Sequence, residues 1–158
     1  MEIAPFRGLR FDLEKIKAEG GAALPVVTAP PYDVLSPQAH QELLDASPCN
    51  IVRLTLGDEP GEIPSYEGRA RLLEDWIESG VLAEEDTSVY YVCTVDYVIP
   101  GTETRARMVS LVGLGRLHEF DEGIVHPHEQ TFPKVVADRQ SLLEATRCNV
   151  ESILLLYN

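Results

Sequence analysis

The sequence predicts an α+β domain with a mixed, largely antiparallel sheet, three main helices and a long β-hairpin. Three observations carry this. Helix signals sit at Ser36–Ala46, Tyr66–Ser79 and Val135–Arg147. Period-two alternation runs from Val89 to Ile99 and returns from Thr104 to Leu117 across a Pro100-Gly101-Thr102 turn. The full order is strand, strand, helix, strand, helix, hairpin, helix, strand, a mixture suited to an α+β arrangement.

Ile3 to Arg10 alternates weakly and reads as a short strand, followed by a charged connector from Asp12 that Gly20-Gly21 closes. Leu24 to Thr28 reads as a second extended piece. It leads into Pro30-Pro31-Tyr32-Asp33, where adjacent prolines force an extended, non-helical loop. Ser36-Pro37 starts a helix, because serine caps free N–H groups and proline suits the first helical position. That helix is expected to bury Ala39, Leu43 and Leu44.

Asn50 to Leu56 alternates and is predicted as a strand, followed by an acidic, turn-rich loop from Gly57 to Pro64. From Tyr66, the residues Tyr66, Ala70, Leu73 and Ile77 share one helical face, and Gly80 stands where a left-handed cap ends a helix. Met108 to Leu114 is apolar enough for a central strand, while Arg105 and Arg107 read as a solvated stretch near the hairpin turn. Val135, Leu142, Leu143 and Thr146 mark the face of the last helix. The apolar run Ile153 to Tyr157 reads as a strand buried on both faces.

The chain has 158 residues, 44% of them hydrophobic and 25% charged, and is expected to fold as one domain over residues 1–158. Its net charge of −13 repels nucleic-acid phosphates and anionic lipid, so neither nucleic acid nor membrane is expected as a partner. No apolar run approaches the ~20 residues of a membrane-spanning helix. The first residues, Met1-Glu2-Ile3-Ala4-Pro5, have no basic segment leading into an apolar one, and a cytoplasmic location is expected. Cys49, Cys93 and Cys148 form no C-x-x-C pair and are expected to be reduced and mostly buried, so no structural zinc is expected.

The densest set of functional side chains is His126-Pro127-His128-Glu129-Gln130-Thr131, with Asp121 and Glu122 before it and Lys134, Asp138 and Arg139 after it. Three readings compete. A loop entering a helix N-terminus offers N–H groups to an anion such as phosphate, with Lys134 and Arg139 adding charge and His128 and Thr131 adding donors. His126 and His128 could instead chelate a metal with Glu129 or Asp121, since alternate side chains of an extended segment face one way. The third reading is a polar surface loop. Tyr32 and Asp33 on the stiff proline loop form a second candidate. Asn50 and Arg53 form a third, because an arginine on a core-facing strand needs an anionic partner.

Pro5-Phe6-Arg7-Gly8-Leu9-Arg10, Ala29-Pro30-Pro31-Tyr32-Asp33-Val34-Leu35-Ser36, Asn50-Ile51-Val52-Arg53-Leu54, His128-Glu129-Gln130-Thr131 and Asp138-Arg139 resemble, in order, successive blocks of the domain-of-unknown-function family 1015. The resemblance runs from residue 5 to residue 157. It implies a bacterial or archaeal protein whose relatives are usually longer. Their later part carries a Gly-His-His-Arg stretch similar to that of the ParB and sulfiredoxin group, where it contacts nucleotide phosphates. Some relatives are nucleotide-dependent small-molecule kinases, serine kinases among them. This chain has no Gly-His-His-Arg.

The expectation is therefore an enzyme fragment, the N-terminal part of a longer phosphate- or nucleotide-handling protein. His128 and Glu129 are its candidate acid and base, and Thr131, Lys134, Asp138 and Arg139 its phosphate site. Tyr32, Asp33, Asn50 and Arg53 are expected to support it. ATP or ADP with Mg would serve the longer protein, and a small molecule or nucleotide is the expected ligand. The alternatives are metal-assisted hydrolysis through His126 and His128, and a non-catalytic scaffold or partner-binding domain. An apolar final strand with an unpaired edge also predicts a homodimer joined along the sheet edge.

Overall fold

The computed structural model describes residues 2–18, 24–57 and 65–156. The Gly20-Gly21 break, the acidic loop beyond Gly57 and Tyr157 of the final predicted strand lie outside these described residues.

The chain is α+β. In order, its elements are β1 (Ile3–Ala4), β2 (Leu9–Phe11), α1 (Leu13–Ala18), α2 (Pro37–Ala46), α3 (Val52–Thr55), α4 (Tyr66–Glu78), β3 (Leu82–Glu84), β4 (Tyr91–Val98), β5 (Arg105–Val112), β6 (Leu114–Gly115) and α5 (Pro133–Thr146). Short 3-10 turns lie at Leu24–Val26, Tyr32–Val34 and Phe120–Glu122. The strands form three separate two-stranded ladders, β1 with β6, β2 with β3 and β4 with β5, where one mixed sheet was predicted. Among the described residues β5 pairs with β4 alone, so Met108 to Val112 is half of a hairpin and no central strand.

The chain divides into two compact units, Met1–Arg10 with Glu84–Gln130, and Phe11–Ala83 with Thr131–Asn158. In the first, β4 and β5 pair antiparallel from Tyr91↔Val112 to Val98↔Arg105, and β1 pairs antiparallel with β6. Gly113 is where this unit packs tightly: a Cβ there would press on Ile3 Cγ2 and the Ala4 carbonyl. Arg107 is solvent-exposed, as expected, but not lone. Its Nε and Nη2 donate to Asp96 Oδ1 and Oδ2 at 2.6 and 3.0 Å, a bidentate cross-strand pair.

The second unit holds every buried apolar side chain of the described residues, with Ile16, Val27, Val52, Leu54 and Leu142 the most enclosed. The α2 and α4 starts follow the sequence signals. Ser36 Oγ accepts from the Ala39 N–H and Ser65 Oγ from the Gly68 N–H, both at 3.1 Å. Gly80, at φ 78°, follows α4 in the left-handed region. The buried face of α4 is Arg69, Leu73 and Trp76, whereas Ile77 is exposed, so the true stripe is rotated from the predicted one. In α2, His40 and Leu44 are buried and Leu43 only half so.

Three strand expectations fail. Leu24–Val26 is a 3-10 turn, with the Val27 and Thr28 N–H groups donating back to the Leu24 carbonyl. Residues 52–55, inside the predicted Asn50–Leu56 strand, form the single helical turn α3, because Asn50 Oδ1 takes the Val52 N–H at 2.9 Å and starts a turn there. Ile153 and Leu156 are each 87% exposed, and residues 153–156 join no ladder. An apolar strand is buried only where another element covers it. The proline loop also departs from the fully extended shape, since Tyr32–Val34 turns as 3-10 after Pro31.

Candidate functional site

The second unit gathers charged and aromatic side chains where α3, α4, α5 and the Tyr32 turn meet. Placement begins at Asn50, which is fully buried. Its Nδ2 donates to the carbonyls of Val26 and Thr28 at 2.9 and 3.0 Å, and the Ile51 N–H donates to Val27 at 2.8 Å. These bonds fasten the segment leading to Tyr32 against the start of α3. Arg53, expected on a strand, stands on α3 and its Nη2 donates to the Leu44 carbonyl at 2.8 Å.

On α4, Tyr66 and Arg69 are three residues apart and so lie on one face. Arg69 is only 3% exposed. Its guanidinium lies 4.8 Å from the Tyr66 ring centroid, and its Nη1 donates to the carbonyls of Leu54 and Thr55 at 3.3 and 3.1 Å. These carbonyls belong to the last residues of α3, where a helix leaves acceptors unpaired.

On α5, Pro133 occupies the first turn and Arg147 closes the helix in the left-handed region at φ 54°. Between them Asp138 and Arg139 turn inward. Tyr66 Oη donates to Asp138 Oδ1 at 2.7 Å. Arg139 Nε donates to Asp138 Oδ2 at 2.8 Å, and its Nη2 reaches both that oxygen and the Thr55 carbonyl, the latter at 3.1 Å. The same guanidinium lies 4.4 Å from the Tyr32 ring centroid, and its Nη1 is 3.3 Å from Glu151 Oε1.

The electrostatics follow. Partial burial pushes the Asp138 carboxyl up, but the Tyr66 hydroxyl, the Arg139 ion pair and the field of Arg69 outweigh it and hold the group below the usual carboxylate range. The hydrogen bond to Asp138, then burial, raises Tyr66. Burial pulls the Arg69 guanidinium down; Asp138 opposes this and Arg139 reinforces it. Burial also works against the Arg139 charge, but the bond to Asp138 prevails and the net direction is up. Among the described residues Arg69 Nε and Nη2 are buried without a hydrogen-bond acceptor, while Arg139 Nη1 has the Glu151 carboxylate beside it.

Of the residues singled out from sequence, Tyr32, Asp138 and Arg139 meet in this cluster, and Asn50 supports it from behind. Asp33 is exposed on the Tyr32 turn. Thr131 and Lys134 are exposed before and within the first turn of α5, and no polar contact ties them to the cluster among the described residues. His126, His128 and Glu129 belong to the other compact unit. His128 and Glu129 are 90% and 72% exposed at their side chains and lie 3.6 Å from each other. The loop ahead of them is ordered by a different histidine: His118 Nδ1 is 3.0 Å from Glu122 Oε2, and Glu122 Oε1 accepts the Glu119 N–H. Among the described residues no three His, Cys, Asp or Glu side chains are grouped to hold a metal ion. Cys49 is buried and Cys148 half-buried, but Cys93 is exposed where burial was expected. Tyr66, Arg69 and Glu151 were missed; an arginine three residues after a tyrosine on an otherwise apolar helical face was the available signal for the first two.

Fold and cluster together define an α+β protein with paired interior arginines on adjacent helices. Residues 3–158 match the model of the family described as proteins of unknown function (DUF1015), and the chain belongs to that family. Comparisons with curated proteins and with solved structures gave no match. No helix among the described residues is long and apolar enough to cross a membrane.

Proposed function

We propose that this chain handles a phosphate-bearing small molecule, with Arg139 and its surroundings in the second unit as the anion-binding element. The observation that carries the reading is the convergence of Arg69 and Arg139 on the single carbonyl oxygen of Thr55, each at 3.1 Å. Two like charges are held together in the interior, and the carboxylates beside them among the described residues, Asp138 and Glu151, both pair with Arg139. A protein with a net charge of −13 has many acidic groups available to neutralise such a pair, yet among the described residues Arg69 has no carboxylate within bonding distance. A bound oxyanion would satisfy both charge and donors. Phosphoryl transfer from a nucleotide is the reaction class we attach to the site. His128 and Glu129 add no support to it, since their exposure is that of a solvated loop.

Thermal unfolding in the presence of inorganic phosphate, and of ATP with Mg, tests the reading. Phosphate should raise the midpoint of the wild-type protein and leave that of Arg139→Gln unmoved. Absence of any shift in the wild type across millimolar phosphate and nucleotide would refute it.

A further inference from the structure

We infer that Arg69, through the paired N–H groups of Nε and Nη2, is the residue that grips the phosphate oxygens; this deepens the reading above and rests on it. A guanidinium presents these two nitrogens as a fork matched to two oxygens of one anion. Two other arginines show the fork in use: Arg107 sets Nε and Nη2 on the two oxygens of Asp96, and Arg139 sets the same nitrogens on Asp138 Oδ2. Arg69 differs from both. Its Nη1 is committed to the Leu54 and Thr55 carbonyls, while Nε and Nη2 are buried and have no acceptor among the described residues.

An unmade charged hydrogen bond is costly in the interior, and here a whole fork is left unmade. The bonds of Nη1 and the stacking against Tyr66 fix the plane of the guanidinium, so the empty fork is already oriented. Asp138 cannot fill it without leaving both Tyr66 and Arg139. The acceptor this fork lacks is therefore best supplied by an anion from outside the chain. A phosphate group supplies the two oxygens a fork requires.

The test is a titration of the wild-type protein with inorganic phosphate, following the Nε–Hε resonances of arginine by NMR, alongside binding measurements on Arg69→Lys and Arg107→Lys. The Arg69 resonance should shift with saturation and the Arg107 resonance should not. Arg69→Lys keeps the charge but loses the fork, and should bind about tenfold more weakly; Arg107→Lys should bind as the wild type does. Phosphate binding with the Arg69 resonance unmoved overturns this inference while leaving the proposed function standing. No phosphate binding at all overturns both. A response to acetate equal to that for phosphate overturns the assignment of ligand class. The wild-type NMR reading decides the matter even if Arg69→Lys does not fold.

Discussion

Arg69 on α4 and Arg139 on α5 donate to the same oxygen, the carbonyl of Thr55, each at 3.1 Å. Thr55 ends the single turn of α3, and the last carbonyls of a helix have no partner within it. A carbonyl oxygen has two lone pairs, so one atom serves both arginines. The arrangement joins three helices through one backbone atom and draws positive charge to a helix C-terminus, the favourable end. Asp138 and Glu151 then offset the repulsion between the two guanidiniums from the Arg139 side.

Tyr66→Phe removes the hydroxyl that donates to Asp138 at 2.7 Å and leaves the ring under Arg69 in place. Loss of one hydrogen bond to a charged group should destabilise the protein by about 1.5–3 kcal/mol. It should also raise the Asp138 pKa. Urea denaturation and a carboxyl NMR titration measure the two effects; an unchanged Asp138 titration would show that the hydroxyl does not hold the carboxylate.

The depressed Asp138 pKa fixes the sign of one contribution to acid stability. In the folded state the group holds its proton less tightly than in the unfolded chain, so across the acid range the unfolded state binds more protons. The stabilisation is present above the ordinary carboxylate range and is lost as pH falls through the folded pKa. Asp138→Asn should therefore flatten the acid limb of stability against pH. Glu122 is depressed too, by the His118 bond first, but it is exposed and its share should fade with added salt. An acid limb unaltered by Asp138→Asn would contradict the assignment.

How much was legible in the sequence varies with the kind of signal. The starts of α2 and α4 were readable because Ser36-Pro37 and Ser65 make local caps, and local chemistry needs no knowledge of the fold. Residues 50–56 misled because the alternation over seven residues also fits one helical turn, and the Asn50 side chain decided between them through carbonyls more than twenty residues away. Asp138 and Arg139 were marked by the family's block and by the polar loop before them. Arg69 was not: within one helix it looks like a charge facing water, and only the packing of α3 and α5 against α4 encloses it. The run Ile153–Leu156 shows the opposite error, since apolar composition is a demand for cover and does not supply the covering element.

Asn50→Ala should be among the most damaging single changes in the second unit. It removes two donors from the Val26 and Thr28 carbonyls and the acceptor of the Val52 N–H, all at a fully buried position. Leaving buried backbone groups unpaired should cost about 3 kcal/mol. Chemical denaturation measures this; a cost below ~1 kcal/mol, within the range of a surface substitution, would mean that water replaces the side chain.

The two units should differ in local stability. Every buried apolar side chain of the described residues lies in the second, around Val27, Val52, Leu54, Leu73, Trp76 and Leu142. In the first, β4 and β5 form a two-stranded ladder in which Val92, Val109, Leu111 and Val98 are exposed. A lone hairpin is marginal in water, because burial against other elements supplies most of what holds strands together. The bidentate Asp96–Arg107 pair is exposed, and solvent screening leaves a pair of that kind little to contribute. Amide hydrogen exchange should therefore be faster in 91–98 and 105–112 than in the middle of α4, and the hairpin should open without global unfolding. Asp96→Asn should speed hairpin exchange a few-fold at most and leave α4 unchanged. Equal protection in the hairpin and α4, with the same dependence on denaturant, would show that the hairpin opens only when the whole chain unfolds.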